Sequence, residues 1–196
     1  MLISKQSFLT RVLLLTAVLL LSLFAVNFAQ AQRGPAPRGT ASFEQWLSQE
    51  VNHQILLLPW YSVFDYVQYK VNGSEVTLFG QVVSDVMKRD AENRIKRIEG
   101  VTKVTNNIEI LSASQMDDRI RRATFNALSG EPALEIYRLG LLHSIHIIVK
   151  GGHVTLEGTV LNEGHKNLAG MRAKGVSGVF SVTNNLRIET SKTRSN

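Results

Sequence analysis

The sequence predicts an α+β protein made of two tandem αββαβ units, each a small mixed sheet with two helices on one face. The main observation is an internal duplication, in which Val76–Ile110 aligns with Val154–Ile188 at a constant offset of 78 residues and without a gap. Sixteen of the 35 aligned positions are identical. Two copies indicate tandem domains rather than a solenoid, which needs about three or more repeats.

The duplicated segment changes its hydrophobic period along its length. From Val76 apolar and polar residues alternate as in a strand, and Gly80 predicts a bulge or a close backbone approach. Residues 85–98 then show the apolar spacing of a helix. Gly100 and its counterpart Gly178 follow that helix, where left-handed backbone is favoured. A β-branched strand closes each copy, so each segment predicts strand–helix–strand.

The elements before the duplicated segment complete the first domain, which we place at residues 41–113. Ser42 is the predicted N-cap of a helix whose end is marked by Pro59. Residues 67–71 alternate as a strand, and Gly73 follows an asparagine in a hairpin signal that leads into the repeat.

The second domain, residues 114–190, repeats this order. Its first helix carries Asp117 and Asp118 in the first turn, where the helix dipole favours acidic side chains over a catalytic pair. Pro132 takes the part of Pro59, and a Gly-Gly hairpin precedes the second copy. The two domains are predicted to touch, because the connection between them is short.

The two ends of the chain carry different signals. Residues 1–31 are predicted to be a secretory signal peptide, because Lys5 and Arg11 precede the apolar run Val12–Val26, and a small-x-small cleavage site follows at residues 29–31. An uncleaved membrane anchor is the alternative. Residues 32–40 are predicted to be a flexible linker and residues 191–196 a flexible tail.

Composition narrows the function classes. The formal net charge is +6, but residues 41–190 hold 16 Lys+Arg against 16 Asp+Glu, so the folded body lacks a basic footprint for nucleic acid. The chain has no cysteine, which excludes a disulfide framework, a thiol nucleophile and a cysteine metal site.

The sequence predicts no catalytic, cofactor or metal site. The patterns G-x-S-x-G, G-x-G-x-x-G and Walker A are absent from it. His146 and His153 flank one predicted hairpin and could approach each other across it, but surface or turn histidines are the favoured interpretation over a metal site.

Two candidate contact regions remain. Leu56–Tyr61 is the most apolar stretch after the predicted signal peptide, and we interpret it first as core or inter-domain packing. The alternative is an interfacial anchor that places Trp60 and Tyr61 at lipid headgroup depth. Arg119 and Arg122 share one face of their predicted helix and form the candidate contact for an anionic surface. Of the two candidate contact regions, we prefer these arginines.

At this level of detail both copies resemble the BON domain (bacterial OsmY and nodulation). The shared features are a helix, a proline, V-T-L-x-G-x-V, a second helix, and G-V-x-x-V-x-N-x-L/I-x-I, which here occupy residues 76–110 and 154–188. The dual arrangement behind a signal peptide is similar to osmotically inducible periplasmic proteins.

The resemblance implies a periplasmic protein without enzymatic activity or cofactor. It further implies binding to a phospholipid membrane surface or to other envelope components. A protein–protein adaptor or a stress-protective factor without lipid affinity is the alternative. Lipid-anchored relatives carry a lipobox cysteine, which this chain lacks, so no lipid anchor is expected.

Overall fold

The computed structural model describes residues 39–137 and 145–189. The predicted signal peptide, most of the predicted linker and the predicted tail lie outside these residues. The first domain comprises α1 (Ala41–Leu56), β1 (Tyr66–Asn72), β2 (Glu75–Val82), α2 (Asp85–Lys96) and β3 (Lys103–Ile110). The second comprises α3 (Gln115–Ser129), a 3-10 helix (Pro132–Tyr137), β4 (Ile145–Lys150), β5 (His153–Val160), α4 (Glu163–Lys174), β6 (Ser181–Asn184) and β7 (Arg187–Ile188).

Both sheets are mixed, as predicted. In the first, β1 and β2 form an antiparallel hairpin and β3 pairs with β2 in parallel, giving the order β1-β2-β3. In the second, β4 and β5 repeat the hairpin, and the last strand is divided into β6 and β7, which both pair in parallel with β5. The predicted α+β class and the tandem αββαβ order are therefore confirmed.

Each helix begins at a polar cap, because the first backbone N–H groups of a helix have no acceptor within it. The N-caps are Thr40, Ser84, Ser114 and Asn162. The prediction of Ser42 for α1 is wrong. Thr40 Oγ1 accepts from the N–H of Phe43 at 3.1 Å, and Ser42 already lies in the first turn.

The core of each domain lies between its helices and one face of its sheet. In α1 a buried row recurs every four residues, as helical periodicity requires: Phe43, Leu47, Val51 and Ile55. Alternate residues of β2 contribute the buried side chains of the sheet: Val76, Leu78 and Val82. The opposite face of the sheet stays outside this core.

The paired asparagines of the repeat fasten each last strand to the preceding helix. Asn106 donates through Nδ2 to the carbonyl of Lys88 at 2.9 Å, and Asn184 donates to the carbonyl of Lys166 at 2.8 Å. This contact explains in structural terms why the asparagines survive at equivalent positions of both copies.

The glycines after the repeat helices have the predicted left-handed backbone. Gly100 has φ 89° and Gly178 has φ 87°. The helix itself is shorter than predicted, because α2 ends at Lys96 rather than at Ile98. Among the described residues no helix combines the length and the apolar character that crossing a bilayer requires.

Candidate functional site

The last residue of α1 and the segment that follows it expose large apolar side chains. Leu56 is 62% exposed, Leu57 49% and Trp60 91%, whereas Leu58 between them is buried. We call Leu56–Trp60 the apolar loop. The favoured interpretation of this stretch was packing in the core or between the domains. It is right for Leu58, which is buried, and wrong for Leu56, Leu57 and Trp60, which are exposed.

Trp60 also has an unusual backbone conformation. Its φ is +66°, and it is the only non-glycine residue with a positive φ in the described chain. That conformation costs about 1–2 kcal/mol for a residue with a β-carbon. A strained residue that presents a large apolar side chain to water is an outlier of the kind that clusters at binding sites.

The next residue points elsewhere. The hydroxyl of Tyr61 accepts from the N–H of Val67 at 3.2 Å, and its ring packs beside that of His146, with 5.7 Å between ring centroids. Burial raises the pKa of Tyr61 to about 12. The structure thus gives different surroundings to the two aromatic residues that we expected to act together, since Trp60 is exposed whereas Tyr61 is half-buried.

Tyr61 opens the bridging segment, Tyr61–Asp65, which Asp65 holds in place. The Asp65 carboxylate is buried and accepts from Ser62 N at 3.1 Å, Ser62 Oγ at 2.7 Å and Val83 N at 2.9 Å. These bonds tie both ends of the segment to the end of β2. The apolar loop is consequently mounted on a rigid base.

The bridging segment reaches the second domain. The N–H of Ile147 in β4 donates to the carbonyl of Val63 at 2.7 Å, which adds one residue to the outer edge of that strand. The rings of Phe64 and Phe125 meet edge to face at 6.2 Å between centroids. The predicted contact between the two domains is therefore present, and it runs through this segment.

A second group of contacts joins the sheets. Tyr66, Leu111 and Ile148 form a small buried cluster. At its margin Lys150 donates to Glu109 at 2.5 Å and holds the pKa of that carboxyl below its ordinary value. Because Ile148 and Lys150 alternate with the core residues of β4, the face of the second sheet that lacks helices packs against the first domain.

His146 lies within this interface and its protonation should weaken it. Burial lowers the pKa of His146 below its ordinary value, and the backbone of Asp65 and Ser62 opposes that shift only in part. The folded pKa lies below the unfolded one, so the stabilisation is complete above about pH 6.5 and declines as pH falls toward the folded pKa.

We therefore expect the free energy of unfolding to fall less between pH 7.5 and pH 5.5 in His146→Gln than in the parent. Urea unfolding at both pH values measures this difference. His53→Gln is the matched control, since His53 is exposed at the end of α1 and should keep the parental pH dependence. An equal loss in the parent and in His146→Gln would contradict the prediction.

The arginines of α3 divide as their helical spacing predicts. Arg119 and Arg122 are exposed. Arg121 is buried, donating to the carbonyl of Val149 at 2.8 Å and pairing with Asp118. The two exposed cations are thus available to an anionic surface, and they lie on the helix whose Phe125 contacts the bridging segment.

Among the described residues no group of three or more His, Cys, Asp or Glu side chains lies close enough together to hold a metal ion. His146 and His153 lie on the same face of the hairpin but four residue steps apart, since His153 pairs with Lys150. That separation is about 13 Å. His165 instead contacts the Tyr137 hydroxyl at 2.6 Å. The fourth histidine of the second domain, His143, lies outside the described residues.

A groove with a volume of about 830 Å³ runs beside the bridging segment. Its walls come from the end of α1, the bridging segment, β1 and β2 of the first domain, and β4, β5 and β7 of the second. Sequence reasoning missed this groove, because its walls are distant in the chain. The one local signal was Ser62 followed three residues later by Asp65, a pattern typical of a side-chain-closed turn.

Fold and geometry together define a duplicated αββαβ protein with an exposed apolar loop at the junction of its domains. The chain belongs to the BON-domain family: the model of the BON domain matches residues 44–112 and again residues 117–190. The suspected resemblance is confirmed in both copies.

Osmotically-inducible protein Y of Escherichia coli (strain K12) is 30% identical to this chain over 123 residues. The match covers 62% of this chain and 61% of that protein, so the chain spans less than two thirds of the relative's length.

Two solved structures also align with the chain. They are described as the C-terminal domain of CdsD, the structural protein of the Type III secretion system of Chlamydia trachomatis, and as structural studies of CdsD. Each is 12% identical and covers 74% of this chain, with 98% and 92% of the other chain covered and a TM-score of 0.26. A likeness of that size carries no weight for fold or function.

Proposed function

We propose that this chain is a non-enzymatic envelope protein that binds a phospholipid membrane surface through its apolar loop. The observation that carries the proposal is the exposure of Trp60 beside Leu56 and Leu57. Exposed leucines are unfavourable in water and favourable in the acyl region of a bilayer, and tryptophan settles at the headgroup interface. The rigid base formed by Asp65 lowers the entropy lost when the loop inserts.

Arg119 and Arg122 supply the electrostatic part of the proposed binding. Each basic group near an anionic leaflet contributes about 1 kcal/mol, and salt screens that contribution. We rank the arginines second. The preference for them rested on burial of the apolar loop, and the structure removes that reason.

The proposed location is the periplasm, which the protein would reach after residues 1–31, the predicted signal peptide, are removed. The proposed physiological role is protection of the envelope under osmotic stress. The relative named osmotically-inducible protein Y, 61% of which this chain covers, supports this role. Membrane phospholipid or another envelope component is the proposed partner, and no cofactor is required.

The test is vesicle co-sedimentation of the purified protein with zwitterionic vesicles and with vesicles that contain anionic lipid. Leu57→Ser combined with Trp60→Ser should weaken partition into both vesicle types by at least about tenfold, because large apolar side chains no longer leave water. Met171→Ser is the matched control. Met171 is 63% exposed on a helix of the second domain, and its replacement should leave partition into both vesicle types unchanged.

The arginines are tested separately by Arg119→Glu with Arg122→Glu, which should weaken binding to anionic vesicles alone and at low salt most of all. Fluorescence adds a direct readout. Trp46→Phe leaves Trp60 as the single tryptophan, and its emission should shift to shorter wavelength on binding. Unchanged binding in both double variants, or no binding by the parent, would overturn the membrane proposal and favour the adaptor.

A further inference from the structure

We propose that the outer edge of β1 is a docking site for an extended segment of a partner protein, which adds to the first sheet as a fourth strand and places an acidic side chain on Arg187. This goes beyond membrane binding, because it uses the backbone of β1 and the groove rather than the apolar loop.

The register of the hairpin determines which backbone groups face outward. In an antiparallel pair alternate residues exchange hydrogen bonds with the partner strand, and the residues between them point away. The two-residue turn closes on the pair Asn72↔Glu75, so Asn72 and Lys70 bond to β2. The N–H of Val67 donates to the Tyr61 hydroxyl, outside the sheet, which gives the same alternation. Tyr69 and Val71 therefore direct their N–H and C=O groups away from β2.

The duplication supplies an internal comparison. The offset of 78 residues places Tyr69 on Ile147 and Val71 on Val149. In the second domain these edge groups have partners: the N–H of Ile147 donates to Val63, and the carbonyl of Val149 accepts from Arg121. Across residues 39–137 and 145–189, no backbone or side-chain group outside the sheet bonds the corresponding groups of Tyr69 and Val71. Among the described residues, two of these four outward backbone groups are thus bonded in the second domain, and none of the four in the first.

An open strand edge is a template for main-chain pairing, which is how extended peptides add to sheets. The bridging segment already binds the second domain in this way, although through a single hydrogen bond. An acyl chain has no donors or acceptors for the Tyr69 edge, so the edge favours a polypeptide over a lipid.

The groove begins at this edge and defines the chemistry of the strand that would fill it. Along its walls Leu56 offers an apolar surface from the end of α1, whereas Gln68 and Phe79 face it from the side of the sheet that lacks helices. Arg187 lies on that second side, and its guanidinium reaches the Tyr66 hydroxyl at 3.5 Å. No described carboxylate pairs with Arg187.

Side chains of an extended strand alternate between its two faces. An occupant with apolar side chains toward Leu56 and acidic side chains toward Arg187 matches both walls. The probe is therefore a blocked peptide of alternating valine and glutamate, acetyl-VEVEVE-amide, added to the purified protein.

Amide hydrogen exchange followed by NMR tests the pairing directly. In the protein alone the N–H of Tyr69 should exchange fast and that of Lys70 slowly. Addition of the peptide should slow Tyr69 and Val71 by at least about tenfold at saturation. The N–H of Ile147, already bonded to Val63, should stay slow throughout and serves as the internal reference.

Two controls separate main-chain pairing from side-chain attraction. Two further peptides carry N-methyl groups, one on every valine and the other on every glutamate. The peptide whose methyl groups lie on the residues that pair with β1 should give no protection, and the other should still protect, because only alternate residues of a strand bond to its neighbour. Arg187→Gln should weaken binding of the unmodified peptide about tenfold, the size expected for one hydrogen bond to a charged group. Lys174→Gln, an exposed cation at the end of α4, should leave the affinity unchanged.

The Leu57→Ser and Trp60→Ser variant should bind the peptide as the parent does, so failure of the membrane proposal and failure of this one are distinguishable. No protection of Tyr69 at millimolar peptide, or equal binding of the N-methylated peptides, would overturn the docking site. Protection of Tyr69 that grows with protein concentration and without peptide would replace the partner with a second copy of the chain.

Discussion

Replacing Gly80 with alanine should lower the free energy of unfolding by more than about 3 kcal/mol, or prevent the first domain from folding. Gly80 lies in β2 with φ +114°, a region that side chains with a β-carbon rarely adopt. A β-carbon there would lie 2.0 Å from the backbone oxygen of Tyr66 in β1. Because Val67 and Gly80 are directly paired, the strands cannot separate locally without loss of ladder hydrogen bonds.

Gly73→Ala isolates the backbone term from the clash. Gly73 has φ +59° at the hairpin turn, and a β-carbon there would meet nothing within 4 Å. Its replacement should cost about 1–2 kcal/mol from the left-handed conformation alone. Urea unfolding of both variants, followed by circular dichroism, gives the comparison. Equal losses would show that the strands can relax around Gly80 and that the close approach carries no extra cost.

The prediction of a bulge or close approach at Gly80 illustrates what could be read from the sequence. Strand, helix and turn signals are local, because periodicity and glycine punctuation act within a few residues. The duplication then confirmed each assignment by repeating it. Even so the ends of elements shifted, as at Thr40 and Lys96, because two or three neighbouring residues can satisfy the same capping groups.

The exposure of the apolar loop could not be read in this way. Apolar composition favours burial, but whether Leu57 or Leu58 is buried depends on which part of the chain lies beside it. The different directions of Trp60 and Tyr61 follow from one backbone angle and from a hydrogen bond to Val67, and neither leaves a pattern in the sequence. Contacts between distant residues created the groove for the same reason.

The acidic residues at the start of α3 also have roles that the sequence did not predict. Asp117 and Asp118 were expected to serve the helix dipole rather than to form a catalytic pair. In the structure Asp118 is partly exposed and pairs with Arg121, whereas Asp117 is buried and accepts from the N–H groups of Gly151 at 2.9 Å and Gly152 at 2.8 Å. One carboxylate therefore fastens the β4–β5 hairpin tip to the helix, a contact between residues 34 and 35 positions apart.

Asp117→Ala should lower the free energy of unfolding by about 2–4 kcal/mol, because it leaves two backbone N–H groups without an acceptor. The N–H of Gly152 is buried, so water cannot replace the lost oxygen there. Urea unfolding measures the total loss. Hydrogen exchange at Gly152 should accelerate in the variant more than exchange at the core of β5, which locates the damage at the hairpin tip.

The first domain provides a matched control, because it holds an equivalent carboxylate-to-hairpin hydrogen bond that is exposed to solvent. Glu44 near the start of α1 accepts from the N–H of Gly73 at 2.7 Å, but this bond is exposed. Water can replace Glu44, so Glu44→Ala should cost less than about 1 kcal/mol. The difference between the two alanine variants measures what burial adds to one carboxylate-to-hairpin bond. If Glu44→Ala proved as costly as Asp117→Ala, the desolvation of the Gly152 N–H would not be the cause, and the geometry shared by the two hairpins would be.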